Sequence, residues 1–271
     1  GYALEDYEVL FEEKLDLFAK LVREPVVNWQ GRTRPPLVNQ HVYPPLGDGG
    51  MTAWVGVGGS PESVVRVVRQ DLQLMLAIIG GDPRRFKPYV DLYHRACAQM
   101  GRLVKPVGIH SPGHIAATDE LAAEQLWPHY KAMFDRIGTE RGWPPVTPER
   151  FMDEVTQGSL YVGAPETVAR KIARTVRSLG LQRFEVFQAF PLHLRADHVD
   201  PAPPGAGELE NAHAECIEAV AHQALAPGLV LLGEAQLQVD LGGAATAAQQ
   251  APGDPADAPA QRTLQHPRQA D

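Results

Sequence analysis

Apolar positions along the chain follow two periods. Between residues 4 and 23, Leu4, Tyr7, Phe11, Leu15, Phe18 and Val22 recur at three- and four-residue spacing, which predicts an amphipathic helix with one apolar face. Its acidic cluster Glu5, Asp6 and Glu8 suits the positive end of the helix dipole and reads as a solvated face. Further along, the apolar residues come in short unbroken runs at Ala53–Val57 and Leu74–Ile79, and further strands are read at Val107–His110 and Phe184–Phe190. Runs this short, without polar alternation, predict strands of a parallel sheet covered on both faces. Helical spacing fills the gaps. One helix spans about Pro83–Met100, with Phe86, Val90, Tyr93 and Cys97 toward the core. A second spans about Asp119–Arg141, and a third runs to Ser178 and stops at Gly180.

The segment 53–81 organises this pattern: strand, glycine turn, helix, strand, then Gly80-Gly81. Ser60 can cap the helix, Pro61 fits the first helical position where its missing N–H has no intrahelical role, and Ser63 lies at the third. Free backbone N–H groups and two hydroxyls then converge beyond the C-terminal end of a strand, the arrangement that holds a phosphate. The alternative is an ordinary strand–helix connection. The spacing is neither G-x-G-x-x-G nor a P-loop. Gly163-Ala164-Pro165-Glu166-Thr167 echoes the turn, but Ala164 lacks the capping hydroxyl, so the same capping chemistry used twice is favoured over a second anion site.

Residues 24–52 are rich in proline and glycine and read as a long irregular connection, with a short hairpin around NWQGRTR. Trp29, Arg32 and Arg34 are candidates for substrate contact there, against a favoured reading as a surface loop with an aromatic anchor. Gly142–Pro148 reads as a proline-rich turn.

Composition narrows the classes. The chain has 271 residues, 44% of them hydrophobic, enough for one sizeable core and near the ~250 residues of a (β/α)8 barrel. A net charge of −8 without basic runs argues against nucleic acid and anionic membranes as partners. No apolar run reaches the ~20 residues of a membrane span and no signal-peptide pattern appears. Cys97 and Cys216 lie far apart and read as free thiols of a reducing, cytoplasmic setting. Ten histidines are scattered, and Pro112-Gly113 keeps His110 and His114 off one helical face, so no metal site is expected. The first residue is Gly rather than Met, as in a piece of a longer product.

WVGVGGSPESVVRVVR, LMLAIIGGDPRRFKPYVDLY, VGIHSPGHIAATDELA, HYKAMFDRIGTERGWPPVT and LYVGAPETVARKIA, in that order, closely resemble the bacterial luciferase-like monooxygenases, flavin-dependent (β/α)8 TIM barrels. The resemblance covers residues 1 to about 190 and implies an α/β fold holding only the C-terminal half of the barrel. Residues 1–190 would be the partial barrel and 191–271 a poorly ordered or out-of-family tail. The family holds the FMN phosphate at the turn after the fifth barrel strand, which implies Gly59, Ser60 and Ser63 as phosphate contacts. Gly80 and Gly81 are weaker candidates for close backbone approach to the cofactor. His110 ends a strand at the barrel's active-site face, so it is a candidate pocket-lining residue, against the reading of a half-buried, backbone-bonded histidine. No catalytic residue is assigned.

The tail lacks Phe, Trp, Tyr, Lys and Ser and is dominated by Ala and Pro, so it reads as a low-complexity extension or a departure from the family's reading frame, with a helix allowed around Gly207–Leu225. Four strand–helix units of the eight a closed barrel needs leave two sheet edges unpaired. The implied function is an FMN-dependent monooxygenase in which reduced flavin and O2 oxygenate a small organic substrate, with reduced flavin supplied by a flavin reductase or NAD(P)H. A deazaflavin-dependent oxidoreductase is the alternative within the superfamily, and a non-catalytic flavin- or phosphate-binding remnant or inactive fragment is the alternative outside it. A homo-oligomer is expected from the family's habit.

Overall fold

The computed structural model describes residues 2–47, 50–187 and the backbone of 236–240. The four expected strands appear as β3 (Trp54–Val57), β4 (Gln73–Ala77), β5 (Val107–Ile115) and β7 (Arg183–Phe187), parallel and adjacent in the order β3-β4-β5-β7. Each is linked to the next through helix, by α2 (Pro61–Arg69), by α3 (Lys87–Gln99), and by the longer excursion α4 (Asp119–Arg141), α5 (Pro148–Thr156) and α6 (Pro165–Leu179). This is α/β architecture with a parallel sheet, a partial (β/α)8 barrel.

Strand alternation sends Val55, Val57, Leu74, Leu76, Ile109 and Phe184 to one face, where all are buried in the main cluster with Val64 and Val67 of α2, Tyr93 of α3 and Ile172 of α6. Trp54, Gln73, His110, Arg183, Glu185 and Phe187 occupy the opposite face and are only half-buried, and Gly56 there is exposed. Met75 on that face is buried, at 6% exposure, so among the described residues the second face is covered less completely than the first, and the expectation of a sheet covered on both faces is corrected to that extent. Helices shield one side, and four parallel strands are too few to curl the other into a packed lumen.

Two further boundaries differ from the sequence reading. β5 was expected to end at His110 but continues through Pro112 to Ile115. Ile78 N–H donates to His110 C=O, so positions 110 and 112 turn their backbone groups toward β4; Pro112 has no N–H for the Ile78 carbonyl, and the buried Ser111 hydroxyl donates to that carbonyl instead, at 2.8 Å. The extension pairs with a short strand, β6 (Tyr161–Gly163). The edge of β7, expected to be unpaired, carries the antiparallel strand β8 (Gln236–Asp240) over five residue pairs. The rest of the tail, including the helix allowed near 207–225 and Cys216, lies outside the described residues, as do positions 188–190 of the last apolar run.

The helices obey their local signals. Thr118 Oγ1 accepts from Leu121 N–H at 3.1 Å to start α4, and Gly142 at φ +70° ends it. α5 was not anticipated, although Thr147 and Pro148 mark its start just as Ser60 and Pro61 mark α2. α1 (Tyr7–Leu21) does not present the single apolar face expected of it. Phe11 and Leu15 pack on the main core, whereas Leu17 and Leu21 meet Val27 and Trp29 of a hairpin, β1 (Val26–Trp29) with β2 (Leu37–His41). Glu8 is more than a solvated charge, because it and Glu12 each hold the buried Arg66 of α2 at 2.5 Å. In the hairpin loop, the N–H groups of Thr33 and Arg32 donate to Glu13, and the Thr33 amide above all draws its carboxyl down to about 2. Trp29 Nε1 donates to Asp16 at 2.8 Å and Arg32 pairs with Glu13, so these two are structural anchors. Arg34 donates to the Pro35 carbonyl.

Gly113 marks the tightest approach in the sheet. A Cβ there would lie 2.4 Å from Val186 Cγ1 and 2.5 Å from the Tyr161 carbonyl oxygen. Because one of those atoms is backbone, Gly113→Ala must displace β6, and urea unfolding should show a loss of ~1–3 kcal/mol. A neutral result would mean that β6 is not held against β5.

Candidate functional site: the C-terminal rim of the sheet

Each strand's C-terminal end delivers backbone N–H groups to a loop, and buried or helix-end N–H groups require acceptors. After β3, Gly59 takes φ +115°, a conformation closed to side-chain-bearing residues, and Tyr89 donates its hydroxyl proton to the Gly59 carbonyl at 2.6 Å. Ser60 is extended, and its Oγ accepts from Ser63 N–H at 3.3 Å. The same hydroxyl donates to Glu62 at 2.9 Å, and the Glu62 carboxyl is lowered by its own backbone N–H and by that hydroxyl. Gly59, Ser60 and Ser63 are half-buried, and Gly58, Pro61 and Glu62 are exposed. The structure thus brings the three residues into one turn at the start of a nine-residue helix.

After β4 the situation differs. Gly81, at φ +73°, directs its N–H at both carboxylate oxygens of Glu154 from α5, at 2.9 and 3.0 Å, while the Gly80 carbonyl accepts from Arg85 at 2.8 Å. The third loop precedes α6. There Asp119, at the start of α4, accepts from Ala164 N–H at 2.6 Å and from the Thr167 hydroxyl at 3.1 Å. Two of the three N–H clusters are therefore filled by carboxylates fixed on other elements. At the third, the only carboxylate bonded among the described residues is the helix's own solvent-exposed Glu62, which a side-chain rotation can carry away.

His110 sits on the less covered face of β5, beside Ala77 and Glu185 in the strand register, with its ring 4.9 Å from that of Phe187. Burial pushes its pKa below the usual histidine value, and the Glu185 carboxylate acts in the opposite sense. Glu185 also takes the Arg183 guanidinium at 2.7 Å, and Arg183 stacks over Trp54 at 5.0 Å. Arg183 and Glu185 were missed in the sequence because the first precedes the run Phe184–Phe190 and the second interrupts it; their period-two offset from the buried Phe184 and Val186 was the signal. His114 faces elsewhere, is 4% exposed, and bonds Gln125 at 2.7 Å. Among the described residues no group of three His, Cys, Asp or Glu side chains could hold a metal, and no helix is long and apolar enough to cross a membrane.

The rim thus offers backbone N–H groups and two hydroxyls at the α2 start, an arrangement that can hold an anion, with a charged, half-buried wall alongside. A depressed histidine pKa costs stability as pH falls, because below ~6.5 the unfolded chain binds a proton that the folded one resists. NMR titration should therefore place His110 below that value. Glu185→Gln, by removing the opposing charge, should lower it further; an increase would contradict the assigned contact.

The family profile described as luciferase-like monooxygenase matches residues 1–183. No curated protein matches. Among solved structures, the monooxygenase RslO1 from Streptomyces bottropensis superimposes with TM-score 0.53 at 17% identity, over 69% of this chain and 56% of that one. The oxygenating constituent of 3,6-diketocamphane monooxygenase from Pseudomonas putida, in complex with FMN, gives TM-score 0.45 at 17% identity over 66% and 55%. An F420-dependent secondary alcohol dehydrogenase gives 0.48 at 12% identity over the same shares. The chain spans little more than half the length of these structures, and the profile covers most of the chain. It belongs to the luciferase-like monooxygenase family.

Proposed function

We propose that this chain carries the phosphate-holding part of an FMN-dependent monooxygenase that oxygenates a small organic substrate with O2. One observation carries the reading: unlike the N–H groups of Gly81 and Ala164, those of the turn 58–63 meet, among the described residues, no carboxylate from another element. Its residue types fit a phosphate monoester. Gly59 supplies the turn, the N–H groups at the start of α2 point outward with the helix dipole behind them, and Ser60 and Ser63 offer hydroxyls at the same end. Pro61 fits the first helical position, where its missing N–H has no intrahelical partner, and leaves the donors to the residues beside it. Gly80 lies at the neighbouring rim with space above it, its nearest potential contact to an added Cβ being Glu154 at 3.9 Å. Gly81, with its amide bonded to Glu154, contributes shape and not a donor.

Flavin would supply the redox chemistry, accepting and passing electrons toward O2. The chain's residues would hold its phosphate and present His110, Phe187, Glu185 and Arg183 along the less covered face of the sheet. The remaining ring contacts, the electron donor and the substrate belong to surfaces that this chain shares with whatever completes the barrel. A deazaflavin with the same phosphate chemistry would use the same seat, so both cofactors belong in the test.

FMN titration followed by flavin fluorescence should show saturable binding, and Ser60→Ala/Ser63→Ala should weaken it by at least about tenfold, the effect of losing ~1.4 kcal/mol of hydrogen bonding. Glu62→Gln removes the competing charge and should tighten binding about two- to fivefold, as expected for a charge worth ~0.3–1 kcal/mol at a helix end. Binding that ignores all three positions would place the phosphate elsewhere. Turnover with reduced flavin and O2 would show that the chain is active alone, and FMN binding without turnover would favour the non-catalytic reading.

A further inference from the structure

On the outer side of the fold, α4, α5 and α6 enclose a groove of about 450 Å³, within the usual range for small-molecule sites. Its floor is apolar, formed by Ala123, Val155 and the buried Val162, with Met152 at 43% exposure on the near side. Its wall on α6 is cationic, with Arg170, Lys171 and Arg174. We propose that this groove binds a small organic anion with an apolar body, its carboxylate on the Arg174 guanidinium and its hydrocarbon part against Met152 and Val155.

The assignment of the head group to Arg174 follows from the occupancy of the other charges. The Lys171 N–H donors are spent on the carbonyls of Glu154, Val155 and Leu160, at 3.2, 2.6 and 2.8 Å. Burial also pushes its pKa down to about 7, with Arg174 acting in the same sense, so Lys171 is only partly charged at neutral pH. Arg170 pairs with Glu166 at 3.5 Å. Among the described residues Arg174 alone of the three has neither a hydrogen bond nor an ion pair, although it is exposed and stands between this groove and an adjoining cavity of about 180 Å³. Of the two carboxylates on the rim, Asp119 is bonded to Ala164 and Thr167, which leaves Glu120 as the opposing charge. A planar guanidinium beside an apolar floor suits a carboxylate whose tail removes that floor from water. The groove belongs to the outer helices and is lined by none of the residues proposed for the flavin phosphate.

Isothermal titration of the chain with decanoate tests this. Saturable binding is expected, weakened at least about tenfold by Arg174→Glu and by Met152→Asp, and unchanged by Ser60→Ala/Ser63→Ala. Decanol, which has the same tail without the charge, should bind at least about tenfold more weakly. Arg174→Gln serves as the neutral control if the charge reversal alters the melting temperature. No saturable binding, equal binding of decanol, or binding insensitive to Arg174 would each overturn the proposal. Loss of decanoate binding in the Ser60/Ser63 variant would place it at the phosphate seat instead.

Discussion

Among the described residues, the loops leaving the C-terminal ends of the strands expose backbone N–H groups, and such groups must find acceptors. That requirement orders the rim of this molecule. Glu154 reaches from α5 to satisfy Gly81, and Asp119 reaches from the start of α4 to satisfy Ala164 and Thr167. Both carboxylates act as built-in anions, and both also tie a peripheral helix to the sheet. The turn after β3 has, among the described residues, only its own solvent-exposed Glu62 in the corresponding role. Under the proposed function, the difference between a structural helix start and a ligand-binding one comes down to whether the neutralising charge is anchored elsewhere in the fold.

The same economy runs through the rest of the structure. One face of the sheet is filled by Val55, Leu74, Leu76, Ile109 and Phe184 against the helices, and this supplies the folding energy. The other face is spared that task and carries Trp54, His110, Arg183 and Glu185, groups that would be costly in a sealed core. Glu154 links the two sides. Its carboxylate fixes the Gly80-Gly81 rim, while its carbonyl helps hold the buried Lys171 of α6. A change at the outer helices therefore has a direct mechanical route to the rim.

The elements most legible in the sequence were those with strong local signals. Thr118, Gly142, Pro165 and Gly180 bound their helices where the periodicity placed them. The strand cores Trp54–Val57 and Val107–His110 likewise follow from short apolar runs. What the sequence concealed was long-range. The run through Pro112 looked like a strand end, because nothing local reveals that the Ser111 hydroxyl serves the Ile78 carbonyl in place of the missing N–H. β8 joins β7 from nearly fifty residues away, with no periodicity to announce it. At the site, Gly59, Ser60 and Ser63 could be grouped from spacing alone. The occupation of Gly81 by Glu154, 73 positions distant, could not.

The central claim is that, of the N–H groups at Gly81, at Ala164 and at the start of α2, those of α2 are left for an external phosphate. Amide chemical-shift mapping during FMN addition reads all three at once. The account predicts the largest shifts at the amides of Ser60, Glu62, Ser63 and Val64, with Gly81 and Ala164 unmoved because their carboxylates stay in place. Dominant shifts at Gly81 or Ala164, or none at the α2 start despite saturable binding, would contradict it.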